Sequence, residues 1–123
     1  SGFWPAETWG SWSKGQASVN IIAPKSNGPM TLRVTAHAML PPTAHEMPTA
    51  VFVNQHKVAT WHVRGHPLEY AVQIPEDILL DKNSEIRFEL QQPLTSPHDL
   101  NALSGDHRKL GLAIRSFTLL PEM

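Results

Sequence analysis

Cysteine is absent from this chain, tyrosine occurs once, and only 17% of the residues are charged. Without cysteine there can be no disulfide, no thiolate metal ligand and no thiol nucleophile, and a cysteine-free chain fits cytosol and periplasm equally. No apolar run reaches the roughly 18 residues of a membrane-spanning helix. Charge of one sign is missing too. Ten basic residues face eleven acidic ones, a formal net charge of −1, and their scatter leaves no footprint for nucleic acid or an anionic lipid surface. The chain opens on Ser1-Gly2, with no basic segment followed by an apolar one as a secretory leader would have. It reads as a piece excised from a larger protein, with any targeting signal and any catalytic domain outside it. At 123 residues the expectation is a single domain over 1–123.

Proline and glycine, by contrast, are plentiful. Eleven prolines and seven glycines cut the sequence into runs of about 5 to 9 residues, which is strand length. Within the runs the period is two. Leu32, Val34, Ala36 and Ala38 alternate with Arg33, Thr35 and His37; Leu68, Tyr70, Val72 and Ile74 alternate with Glu69, Ala71 and Gln73; Ile86, Phe88 and Leu90 alternate with Arg87, Glu89 and Gln91. Each run therefore has one apolar and one wetter face, the pattern of antiparallel sheets. Val51 to Val53 and Val58 to Trp61 flank Asn54-Gln55-His56-Lys57, which predicts a tight hairpin with Asn54 in the turn. The run Leu110 to Leu120 is apolar on both faces around Gly111, as a central strand covered on both sides, or one that bends at the glycine, would be. Two short stretches allow a helical turn or two: Pro75 to Leu80, and Asp99 to Leu103 with Asp99 as cap. The fold expected is an all-β antiparallel sandwich, jelly-roll-like, with one or two short helical turns.

The densest unusual feature is tryptophan. Three of the four fall in Phe3-Trp4-Pro5-Ala6-Glu7-Thr8-Trp9-Gly10-Ser11-Trp12-Ser13. An indole face stacks on the apolar C–H face of a sugar while nearby polar groups bond its hydroxyls, so Trp4, Trp9 and Glu7, with Asn54 and Trp61 of the hairpin, are the candidate ligand contacts. Packing in the core is the competing role for each indole. If the segment stays extended through Gly10, Trp9 and Trp12 have opposite parity and face opposite ways. Trp12, which leads into the strand near Ala17, is then expected to be buried, and Trp9 or Trp4 exposed.

Other chemistry is thin. His62 and His66 are four apart, but the strand at Trp61 to Val63 and the breakers Gly65 and Pro67 lose the helical geometry that would pair them on a metal. A calcium held by loop oxygens stays open, although no loop is acidic enough to single one out, and no cofactor is expected. Ser104, Asp106 and His107 are too close in sequence to assemble a triad from separate elements. Asp106 and Arg108 are expected to form a structural ion pair tying their loop to the last strand. Among Glu7, Glu46 and Glu69, spacing selects no glycosidase pair.

Gly2-Phe3-Trp4-Pro5-Ala6-Glu7 with Gly10-Ser11-Trp12-Ser13, the hairpin Val51-Phe52-Val53-Asn54 with Val58 to Trp61, Ser96-Pro97, and Asp106-His107-Arg108-Lys109-Leu110-Gly111-Leu112 together resemble a family. It is the β-sandwich domain of unknown function at the C-terminal end of bacterial membrane glycosyltransferases and periplasmic-glucan phosphoglycerol transferases. The likeness spans nearly the whole chain, with Gln55 standing where a tight-turn glycine often follows the hairpin asparagine. It implies a periplasmic domain attached to an inner-membrane protein, a fold similar to carbohydrate-binding modules, and catalysis in the rest of the parent chain. The expected function is a non-catalytic accessory domain that binds or positions an envelope glycan, its partners being that glycan and the catalytic and membrane domains of its own parent. The alternative is a structural or protein-docking domain of the same transferase that touches no sugar. Apolar exposure separates them: indoles open to solvent favour glycan, a flat apolar patch favours docking.

Overall fold

Alternation becomes strands throughout. A computed structural model describes residues 1–22, 28–79, 83–101 and 103–121. Among them the strands are β1 (Ser11–Trp12), β2 (Gln16–Ile22), β3 (Met30–Ala38), β4 (Met47–Val53), β5 (His56–Val63), β6 (Leu68–Ile74), β7 (Asn83–Leu90) and β8 (Leu112–Pro121). In β3 the residues Met30, Leu32, Val34, Ala36 and Ala38 are buried, and those between them are half-buried or exposed. In β7 Ile86 and Phe88 are buried between half-buried neighbours.

The strands form two four-stranded antiparallel sheets, β1-β8-β3-β6 and β2-β7-β4-β5. Four pairs nest inside one another: β4 with β5, β3 with β6, β2 with β7 and β1 with β8. The chain is thus one long hairpin, and the crossed pairs β3 with β8 and β4 with β7 roll it into two layers. That is a jelly roll, an all-β sandwich.

The innermost turn is the Asn54–Gln55 pair. Both residues have positive φ, 49° and 73°, as a two-residue type I′ turn demands. Asparagine tolerates this conformation and glutamine does so at a cost of about 1 kcal/mol. The Gln55 side chain accepts a bond from the Arg87 guanidinium at 2.8 Å. Asn54 is held more firmly. Its amide donates to the Ile78 carbonyl at 2.7 Å and to Ser84 Oγ at 3.1 Å, and its oxygen accepts from the Glu85 N–H at 2.9 Å. A side chain with every polar atom so engaged is a staple, so Asn54 is removed from the ligand contacts.

Between the layers lie Leu32, Val34, Met47, Val51, Val53, Ile74, Ile86, Phe88 and Leu112, all under 3% exposed. Trp61, 8% exposed, joins them. Its ring stacks on Tyr70 with centroids 5.7 Å apart and tilts against Phe88 at 6.1 Å. Trp61 is therefore a core residue and not a ligand contact. Its position in β5 alternates inward, and the apolar area it buries is stabilising by about 2 to 3 kcal/mol.

Two expectations need adjustment. The last strand is central, between β1 and β3, yet only Leu112 and Ala113 are buried, and exposed residues appear from Arg115 onward. The irregularity comes at a bulge: Thr35 pairs with Ser116 and Ala36 with Ile114, so Arg115 is left without a partner in register. The helical turns are a 3-10 turn at Glu76–Ile78 and α1 (Pro97–Leu100), while Leu80 and Ala102 of the expected turns lie outside the described residues. The cap of α1 is Ser96. Asp99 is the third helical residue and returns the bond, its carboxylate accepting from the Ser96 N–H in a capping box,.

Candidate functional site: an indole-bearing hairpin on the outer sheet face

The N-terminal segment does not run extended. It folds back on itself, bridging Phe3 to Ser13 and Glu7 to Gly10, with Thr8 and Trp9 in the turn. The Glu7 N–H donates to the Gly10 carbonyl at 2.8 Å and the Trp4 N–H to the Trp12 carbonyl at 2.9 Å. Gly10 permits the close approach to β8. Its φ is 153°, and a Cβ there would sit 2.1 Å from the Ile114 carbonyl oxygen.

The hairpin is bolted to the sheet through Ser13, which is fully buried. Its N–H donates to the Leu112 carbonyl at 2.7 Å, its carbonyl accepts from the Gly111 N–H at 2.8 Å, and its Oγ accepts from the Leu112 N–H at 2.8 Å. At Gly111 the space is also tight: a Cβ would lie 2.6 Å from Leu90 Cδ2 and 2.7 Å from Ser13 Oγ, so a side chain there would have to displace both.

Turning at Trp9 brings the two indoles together. Trp9 and Trp12 meet edge to face with centroids 5.7 Å apart and planes at 85°. Both lie against His37 on the outward side of β3, at 6.4 and 5.4 Å. The expected burial of Trp12 with Trp9 on the opposite face is therefore corrected: both are half-buried on one side, because a turn and not a continuous strand separates them. The Arg115 guanidinium lies 5.4 Å from the centre of the Trp9 ring. His37 Nδ1 is sealed from solvent without a hydrogen-bond partner among the described residues. Burial, and then the positive charge of Arg115, hold His37 below the ordinary histidine value,.

Trp4 sits apart from these rings. Lys14 Nζ lies 4.7 Å and the Arg108 guanidinium carbon 5.8 Å from its ring centre, and its indole N–H donates to the Lys109 carbonyl at 3.2 Å. Asp106 and Arg108 form a forked ion pair, Nη2 to Oδ2 at 2.8 Å and Nε to Oδ1 at 3.0 Å. These bonds to Arg108 lower Asp106 to about 2. The pair is local to its loop, and the face of Trp4 is what Arg108 reaches beyond it. Glu7 is exposed on the hairpin, and its charge adds to the stabilisation of the Arg108 cation.

Of the five candidate contacts, then, Trp4, Glu7 and Trp9 lie on the hairpin, and Asn54 and Trp61 do not join them. Trp12, His37 and Arg115 join Trp9, Lys14 lies over Trp4, and none of the four was among the candidates. One signal for them was available: glycine at the fourth position of Glu7-Thr8-Trp9-Gly10 is a turn preference, and a turn there reverses the parity argument.

Elsewhere, the loops at 39–46 and 91–95 border an open cleft of about 580 Å³ lined by Leu40, His45, Glu46, Gln92 and Leu94. Glu46 pairs with His62, an exposed residue of β5. Among the described residues no three histidine or carboxylate side chains converge as metal ligands. The hairpin offers apolar ring surface flanked by cations. No protein-family model matches the chain, and no curated protein matches it either.

Proposed function

We propose that this is a non-catalytic accessory domain of a bacterial envelope glycan-modifying transferase, and that it binds or positions a glycan on the N-terminal hairpin. One observation carries the reading: three of four tryptophans are gathered half-exposed on a single hairpin while the fourth packs in the core. Burying all three would have been favourable by about 2 kcal/mol or more apiece, so a fold that leaves ring surface uncovered in one place has it available for a ligand. Trp9 and Trp12 form the platform, with Trp4 and Glu7 elsewhere on the same hairpin. The resemblance to the C-terminal sandwich of membrane glycosyltransferases and phosphoglycerol transferases supports the rest: a periplasmic position, attachment to an inner-membrane protein, and reaction chemistry in the catalytic and membrane domains of the parent chain. The jelly roll is also the architecture of many carbohydrate-binding modules, though a fold alone does not choose a ligand.

Docking on the parent transferase has its own support at a different place. Leu100 and Leu103, 42% and 94% exposed, project at and after α1.

The two readings part in a titration. Envelope-type oligosaccharides added to the domain should shift the indole N–H signals of Trp9 and Trp12, with a Kd of roughly millimolar order for one or two stacked rings. Trp9→Ala should abolish the shifts while leaving the fold intact. If a broad panel at tens of millimolar moves no indole signal of the hairpin, glycan binding gives way to docking.

A further inference from the structure

Four cationic side chains among the described residues are paired with carboxylates, Arg33 with Glu69, Arg87 with Glu85 and Glu89, Arg108 with Asp106, and Lys109 with Asp99, and the His62 ring meets Glu46. Arg115 is exposed and has no carboxylate partner among the described residues. It also sits at the one bulge of β8, where the register gives it no opposite residue. Bulges re-aim a side chain and occur beside binding sites more often than elsewhere. Here the bulge places a guanidinium against the ring of Trp9, within the cluster that holds Trp12 and the enclosed His37 Nδ1, which has no hydrogen-bond partner among the described residues.

We infer that the Trp9–Trp12 platform selects sugars bearing an anionic substituent, a carboxylate or a phosphate monoester, and that Arg115 receives the charge. The inference rests on the glycan reading and sharpens it. An exposed guanidinium on an indole is held by only about 0.5 to 1 kcal/mol, so the arm can leave part of the ring to a sugar and keep its charge for the substituent. Arginine suits the purpose because its planar fork bonds two anionic oxygens at once. The local charge balance agrees. Arg115 and His37 both lie against the Trp9 ring, and after burial the positive charge of Arg115 lowers the His37 value further,. Glu7, the acidic residue of the hairpin, acts instead on Arg108, at the Trp4 end.

The experiment uses matched probes: neutral trisaccharides of glucose, galactose, mannose and N-acetylglucosamine, each with its uronic acid and phosphate-monoester counterparts, plus inorganic phosphate alone. Binding is read by NMR on the intact domain at low and high salt. The anionic member of a pair should bind at least about 10-fold more tightly at low salt, and the ratio should shrink as salt rises. Arg115→Gln should bring the ratio to about one. The anionic sugar should also raise the titration midpoint of His37, which a neutral sugar should leave in place. Equal binding of neutral and anionic partners overturns the inference and leaves the glycan reading standing, whereas silence of every sugar removes both. A ratio that survives Arg115→Gln assigns the charge elsewhere, and inorganic phosphate binding as tightly as the sugar phosphates makes this a bare anion site. Either result refutes the proposal.

Discussion

Removing one oxygen from Ser13 should loosen the whole indole-bearing hairpin. Ser13 Oγ accepts the Leu112 N–H at 2.8 Å in a place closed to water. In Ser13→Ala that donor keeps its burial and loses its acceptor, which costs about 1 to 3 kcal/mol, while the apolar area lost is negligible. For a chain of this length each kcal/mol moves the melting temperature by about 3 to 5 °C, so the variant should melt roughly 5 to 10 °C lower. Ser11→Ala is the control. The Ser11 hydroxyl donates to the Trp4 carbonyl at 2.8 Å in a part-buried position, where water can replace it, and its loss should cost under about 1 kcal/mol. Urea unfolding followed by circular dichroism gives both numbers, and indole NMR shows whether Trp9 and Trp12 lose their mutual contact in Ser13→Ala. Were Ser13→Ala to melt within a degree of the wild type, or Ser11→Ala to cost as much, the hairpin would not be anchored as described.

Two further outcomes follow from the same geometry. Trp61→Ala, which empties a core position, should lose about 3 to 5 kcal/mol in denaturant titration, while Trp9→Ala should lose about 1 kcal/mol or less; comparable losses would contradict the division between core and platform. His37, whose folded value lies below its ordinary 6.5, binds a proton more readily in the unfolded chain, so its contribution to stability is present above about pH 6.5 and is lost as pH falls through the folded value. Unfolding measured from pH 8 down to 5 should therefore show a decline below pH 6.5 that His37→Gln flattens, and identical profiles for the two proteins would refute it.

Sheet content was readable because the alternation in β3 and β7 is strict: Leu32, Val34, Ile86 and Phe88 could only face inward. The hairpin at Asn54 was readable from turn chemistry, although its loop is two residues and not four, since His56 and Lys57 already pair with Val53 and Phe52. What one strand's pattern cannot show is which strand will cover it. Trp61 reads equally well as a platform or a core ring until Tyr70 and Phe88 are placed against it. Asn54 likewise has spare polar atoms in sequence and none once Ile78, Ser84 and Glu85 surround it. The site was half legible. Composition marked the segment from Trp4 to Trp12, but the parity argument presumed a continuous strand, and the turn at Thr8–Trp9 inverted its result. His37 and Arg115 were invisible as site residues because their place in the cluster comes from a bulge and a strand pairing remote in sequence.

The nesting of the strand pairs sets an order of events. Closing the Asn54–Gln55 turn brings together neighbours in the chain, whereas joining Ser13 to Leu112 brings together residues 99 positions apart. Loop-closure entropy rises with that separation, and contacts of long range are the slow ones in folding. The indole platform lies at the open end of the long hairpin, so it should be completed last, and a ribosome must release the β8 segment before the site can exist. Trp9 and Trp12 would then report the end of folding, and Trp61 an earlier stage.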